Sequence, residues 1–226
     1  MASSGSERTV TMPRFSDARP RMKKVRERYR HIARYYDVVY RPLLAHGSRV
    51  LVGLRRLEAH ERVLEVGVGT GFTLAHYPKG VEVHAIDVCP EMIAVAARKR
   101  LRRARARVAL HTMDAHDLAF RDRSFDVLLF PHSLGLMEDP ARVLAEVARV
   151  ARNGAELRIL HTFEWTNPLL HRFETALYDA FEDRLGWGRP LNLAQLRAWA
   201  DKCGFELAEQ RRLGWKLIVV FRKQPH

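Results

Sequence analysis

The sequence predicts an α/β protein built on a doubly wound sheet of seven strands, mostly parallel with one antiparallel strand. Three observations carry that reading. The run Val63-Leu64-Glu65-Val66 has the apolar, β-branched character of a strand buried on both faces, and it leads straight into a Gly-x-Gly-x-Gly turn at Gly67, Gly69 and Gly71. Carboxylates then recur at the ends of the next strands, Asp87 after Val81-Glu82-Val83-His84-Ala85-Ile86 and Asp114 after residues 107–112. The last two strands, over residues 204–210 and 217–221, are joined so tightly that they must form an antiparallel pair. Glycine is required in the first turn because the backbone folds sharply and admits a ligand where a Cβ would collide. Asp87 stands twenty residues past Gly67, the spacing at which a ribose diol is gripped in nucleotide-binding βαβ units. Open α/β sheets bind ligands outside the carboxyl ends of their strands, so Glu65, Asp87 and Asp114 are expected to converge on one crevice.

Composition bounds the partners. At 226 residues the chain is long enough for one domain with a substantial core, and its 47% hydrophobic content is ordinary. The formal charge of +13 is not, and it implies an anionic partner: a nucleic acid, an acidic lipid surface or an acidic substrate. Cys89 and Cys203 fall on separate elements with no metal or redox spacing, so they read as buried thiols in a reducing compartment, and no metal site is expected. The sequence holds no run of eighteen apolar residues that could span a bilayer.

Three segments are expected along the chain: a disordered leader over 1–20, basic amphipathic helices over 21–58, and the main domain over 59–226. The leader is rich in Ser, Arg, Thr and Pro without an apolar core. From residue 21 to 36, Met22, Val25, Tyr29, Ile32, Ala33 and Tyr36 recur at helical spacing, while residues 19–34 carry eight cations against the single acid Glu27. Such a helix lies in an anionic membrane surface or packs on the domain with its basic face solvated; a nucleic-acid arm comes third, since the stretch lacks a groove-reading module. Pro42 disfavours helix at its predecessor, so a second helix is expected over 43–58. Residues 73–77 read as a short helix whose N-terminal amides face the ligand. Pro90 opens a helix that ends in seven cations between Arg98 and Arg107, more than a helix C-terminus needs and a candidate second contact with an anionic surface. Phe125-Asp126-Val127-Leu128-Leu129-Phe130 is the fourth strand. Asp139 caps a helix running to Arg152, which Asn153-Gly154 should stop, and residues 155–161 form the fifth strand.

The motifs VLEVGVGTGF, VHAIDVCPEMI, MDAHDLAF and FDVLLF, in that order and spacing, resemble the class I S-adenosylmethionine-dependent methyltransferases, whose fold is Rossmann-like. The form of the glycine turn, the second acidic strand end and the short chain argue against an NAD enzyme. The resemblance implies S-adenosyl-L-methionine as cofactor. It implies that Glu65, Gly67, Gly69 and Gly71 hold the methionine end, that Asp87 takes the ribose hydroxyls, and that Asp114 with Ala115 faces the adenine. Val88, Met92 and Pro131 complete the implied cofactor set, and Tyr36, or else Tyr40, resembles a tyrosine that folds over the cofactor in many members. The aromatic-rich insert over about 162–190 sits where this class builds a substrate lid.

Further short stretches, YYDVVYRPLL, the HTF beginning at His161 and Leu185-Gly186-Trp187, resemble soluble bacterial phosphatidylethanolamine N-methyltransferases. That resemblance implies a lipid amine substrate and a cytoplasmic protein peripheral to the inner membrane surface. An amine must lose its proton before it attacks a sulfonium methyl, so Tyr36, His132 and His161 are the candidates to accept it. A small-molecule methyltransferase acting on a quinone precursor, amine or thiol is the alternative, and an RNA-binding methyltransferase a second one. Nucleic acid is the less expected partner, because Phe130-Pro131-His132-Ser133 stands where an Asn/Asp-Pro-Pro-aromatic motif would be needed.

Overall fold

The computed structural model describes Glu27, residues 36–162 and residues 190–225. The leader, almost all of the first basic helix and residues 163–189 of the insert lie outside the described residues, as do the side chains of residues 36–43 and 100–103. The elements run α1 (Tyr36–Val52), β1 (Arg62–Val66), β2 (Glu82–Asp87), α2 (Pro90–Arg103), β3 (Arg107–Thr112), β4 (Phe125–Pro131), α3 (Pro140–Val150), β5 (Ala151–His161), α4 (Leu193–Lys202), β6 (Phe205–Leu213) and β7 (Lys216–Lys223).

The strands form one seven-stranded sheet in the order β3-β2-β1-β4-β5-β7-β6. The pairs among β1 to β5 are parallel, and β7 runs antiparallel to both β5 and β6. The expected class and the antiparallel strand are therefore present. The order reverses beside β1, which opens the crevice at the carboxyl ends of β1 and β4.

Alternation along each strand divides the core into two layers. Leu128 and Phe130 of β4, Leu157 and Ile159 of β5 and Val219 and Phe221 of β7 face one side. There they meet Val143, Leu144 and Val147 of α3 and Leu196 and Ala200 of α4. Val127, Leu129, Leu160, Ile218 and Val220 face the other, against Leu51 and Val52 of α1 and Ala96 of α2. Asp139 caps α3 by accepting from the Arg142 amide at 3.0 Å, with Pro140 in the first turn, and Asn192 caps α4 by accepting from the Gln195 amide.

Four expectations about boundaries need correction. One helix spans Tyr36–Val52 through Pro42, so the proline removes a hydrogen bond without ending the helix, and no helix reaches residue 58. Residues 73–77 form consecutive turns in place of a helix. The helix after Asp139 ends at Val150, and Asn153-Gly154 sits inside β5. There the β4–β5 register jumps between Phe125↔Ala151 and Val127↔Glu156, and Gly154 takes φ 78. Helix α4 carries no sequence expectation at all.

A buried ion network ties α1 to the sheet. Arg158, fully buried on β5, donates through Nε and Nη2 to Glu156 at 3.0 and 2.6 Å and through Nη1 to the Leu51 and Val52 carbonyls at 3.3 and 3.1 Å. It thus satisfies backbone acceptors that the helix C-terminus leaves open. Arg55, just past α1, donates to both Glu156 and Glu61. Burial pushes the Glu156 carboxyl up, but the guanidinium groups of Arg158 and Arg55 outweigh it and hold the group below the usual carboxylate range. Replacing Arg158 with Ala would leave Glu156 short of a buried partner. The unfolding free energy should fall by about 3–5 kcal/mol, read from the chemical denaturation midpoint.

Candidate active site

The site begins at a carboxylate inside the protein. Glu65 on β1 is fully buried, and it accepts hydrogen bonds from the Thr73 hydroxyl at 2.6 and 2.8 Å and from the Tyr77 hydroxyl at 2.6 Å. This explains why residues 73–77 are not helical. Five residues make a poor helix nucleus, and turning the segment brings both hydroxyls onto a buried charge that would otherwise be costly. Burial pushes the Glu65 carboxyl up to about 7 against the pull of the two hydroxyls, with Asp87 adding to the rise. The Tyr77 hydroxyl is in turn pushed well above its ordinary value by burial and by Glu65. Neither Thr73 nor Tyr77 was singled out from the sequence, although hydroxyls four residues apart just after the turn were the available signal.

Gly67 and Val68 both donate their amides to the Ile86 carbonyl, at 2.9 and 3.0 Å, which locks the turn to β2. Gly67 has φ 76, and a Cβ there would lie 2.3 Å from the Ser133 Cβ. Ser133 itself donates to the Val66 carbonyl at 2.5 Å, so the ends of β1 and β4 are stitched together. Gly69, at φ 53, has no atom within 4 Å of its would-be Cβ, and its open side belongs to the crevice.

Asp87 ends β2 and accepts from the Gly69 amide at 2.8 Å and the Cys89 amide at 2.9 Å. It keeps an edge open to solvent but is packed about by protein, which raises its carboxyl to about 6. Val88 beside it is half-buried, whereas Met92 is buried against Cys89 and Val95. Asp114 accepts from the His116 amide at 2.9 Å and from His116 Nδ1 at 2.6 Å. His116 Nε2 accepts from the Asp139 amide at 3.3 Å, so the ring carries its proton on Nδ1. The Ala115 side chain turns into the core.

One pocket brings Glu65, Gly67, Gly69, Pro131 and His132 together, with Leu44 and Ser48 of α1 closing one side. His132 has φ 71, a left-handed conformation rare outside glycine, held by its amide donating to the Leu160 carbonyl at 2.9 Å. Its Nε2 is buried without a hydrogen-bond partner. Burial, Lys216 and His161 push the His132 imidazole well below its ordinary range, so it is neutral. His161 is buried at the end of β5 and does not line this pocket. Its Nδ1 meets the Thr162 carbonyl at 2.8 Å, which makes Nδ1 the donor, and burial lowers the ring to about 4. Lys216, buried at the start of β7, is lowered to about 8 by burial and adds its charge to both imidazoles. The Tyr36 backbone opens α1, but its side chain is outside the described residues, as is that of Tyr40.

A methyltransferase-domain family model matches residues 64–159. The chain is also 40% identical over 139 residues to the phosphatidylethanolamine N-methyltransferase of Cereibacter sphaeroides, covering 59% of this chain and 68% of that protein. The chain belongs to the S-adenosylmethionine-dependent methyltransferases. A second relative of this methyltransferase, the demethylmenaquinone methyltransferase of Tropheryma whipplei, is 24% identical over 222 residues, 88% of this chain and 90% of that one. The crystal structure of a SAM-dependent methyltransferase from Aquifex aeolicus shares the fold with a TM-score of 0.65 at 20% identity, over 85% of this chain and 97% of that chain. S-adenosylmethionine is the cofactor of this enzyme, and the crevice fits it. An open glycine backbone, a buried carboxylate and a second carboxylate at the next strand end suit a ligand carrying both an ammonium group and a diol.

Three expectations follow. Gly67→Ala should destabilise the fold and weaken cofactor binding together, because the clash is with Ser133. Gly69→Ala should cost only about 1 kcal/mol of stability yet lower S-adenosylhomocysteine affinity at least about tenfold, as calorimetry would show. Glu65 has its folded pKa raised above the unfolded value, so in the free enzyme it opposes folding once ionised. The difference in unfolding free energy between the wild type and Glu65→Gln should therefore shift against the wild type as pH rises from about 4.5 to above 7, by on the order of 3 kcal/mol. A pH-independent difference in denaturation would contradict the raised value.

Proposed function

We propose that this methyltransferase N-methylates the amine headgroup of phosphatidylethanolamine at an anionic membrane surface. The observation that carries the acceptor is the 40% identity with the Cereibacter sphaeroides enzyme of that name. The net charge of +13 supports an anionic surface as the place of work. No helix among the described residues is long and apolar enough to cross a membrane, so the contact would be made from one side.

In this reading Glu65 and the turn at Gly67, Gly69 and Gly71 hold the methionine end, Asp87 the ribose hydroxyls, and Asp114 with the Ala115 backbone the adenine. Val88, Met92, Pro131 and Tyr36 line the remaining contacts. The cofactor supplies an electrophilic methyl group on a sulfonium centre. The chain's part is to hold the acceptor in line and to exclude water, which is where most of the rate is gained in such a displacement. The amine must also arrive neutral. His132 is suited to accept its proton: it is neutral, its Nε2 meets no partner, and its strained backbone is fixed by the Leu160 carbonyl.

A second reading is supported by the longer match, over 88% of the chain, to the demethylmenaquinone methyltransferase. It makes the acceptor a small quinone precursor.

Incubation with radiolabelled S-adenosylmethionine and mixed liposomes of phosphatidylethanolamine and phosphatidylglycerol separates the two. The lipid reading expects label in the lipid fraction, and His132→Ala should lower kcat by about 100-fold with cofactor affinity kept. Cofactor binding without any lipid labelling sinks it.

A further inference from the structure

Among the described residues Trp215 is the large apolar side chain left in solvent, 49% exposed. It sits with Gly214 at the tip of the β6–β7 hairpin, where Gly214 takes φ 62. The tip is firmly held. Leu213 pairs with Lys216, Lys216 is buried, and the Leu213 side chain reaches the same packing site as Leu160 beside Gly47 of α1. The Lys216 ammonium lies 4.6 Å from the centre of the indole. A rigid turn is thus presenting an indole to water, at a cost that packing would normally avoid.

Charge along β6 changes sign towards the tip. Glu206 and Glu209 stand in its first half, while Arg211 and Arg212, both exposed, stand next to Leu213. An indole flanked by guanidinium groups is the combination that settles at a membrane interface, with the ring at headgroup depth and the cations on phosphates.

Topology puts this tip on the working edge of the sheet. β7 is antiparallel to β5 and β6 antiparallel to β7, so β6 ends on the same edge as the carboxyl ends of β1, β4 and β5. The start of α1 faces that edge too. Its last carbonyls meet Arg158 while Gly47 meets Leu160, nearer the carboxyl end of β5, so α1 runs antiparallel to β5.

We infer that the β6–β7 tip is a membrane-docking element, with Trp215 inserted among anionic phospholipid headgroups and Arg211 and Arg212 on their phosphates, and that it sets the crevice mouth against the bilayer. This rests on the lipid reading of the substrate but is tested apart from it. The full chain is partitioned between buffer and vesicles of phosphatidylcholine with or without phosphatidylglycerol, at low salt and without S-adenosylmethionine. Binding to the anionic vesicles is expected. It should weaken about tenfold in Trp215→Ala and about fivefold for each of Arg211→Gln and Arg212→Gln, while S-adenosylhomocysteine affinity stays that of the wild type. Lipids brominated on the acyl chain near the headgroup should quench wild-type fluorescence, and Trp215→Ala should lose most of that quenching. Wild-type partition in all three variants would overturn the docking element, as would a Trp215→Ala effect on self-association alone. Vesicle binding through Trp215 without methylation of phosphatidylethanolamine would keep the docking element and remove the substrate. Lipid methylation with unchanged partition in the variants would do the opposite.

Discussion

The crevice depends on one buried charge. Glu65 lies at the centre of the sheet with no solvent to stabilise it, and the chain around it is arranged to supply what water would have supplied. Thr73 and Tyr77 reach back from a segment that gives up helical structure to do so. The glycine turn between them can then lie flat against β2, and Ser133 from the end of β4 can close on Gly67. Without its two hydroxyl donors Glu65 would be a protonated, inert side chain in the core. With them it stays close to the ionisation point at neutral pH, ready to meet a cation.

The same economy of buried charge appears further along the same face of the sheet, but there it is fully neutralised. Glu156 and Arg158 are paired so completely that they act as a fastener between α1 and β5. The two carboxylates illustrate opposite uses of burial. One is held by neutral donors and left reactive, the other by cations and left structural.

Much of this was legible in the sequence, for physical reasons that differ from residue to residue. Strands buried on both faces are nearly continuous apolar runs, so β1 and β4 announce themselves. Glycines that need a positive φ, and carboxylates at strand ends, mark Gly67, Gly69, Asp87 and Asp114 before any coordinates exist. The misreadings share another character, since each depended on partners remote in sequence. Asn153-Gly154 looks like a helix stop, and only the pairing with β4 makes it a bulge. The segment over residues 73–77 looks helical until the charge on Glu65 is placed beside it. Helix α4, with its Asn192 cap and a face formed by Leu196 and Ala200, was overshadowed by the aromatic-rich stretch before it. The left-handed backbone of His132 and the burial of Lys216 have no local signature, because both are set by the meeting of β4, β5 and β7.

The irregular start of β5 also has a practical side. Its extra residues bulge out on the sheet's amino edge, the one facing away from the crevice, and nothing lies within 4 Å of where a side chain on Gly154 would begin. Chain added between Asn153 and Gly154 would therefore displace no packed atom. A fluorophore, an affinity handle or a surface tether placed there would hold the molecule with its mouth turned outward, which makes this small kink the natural grip for single-molecule or immobilised-enzyme work.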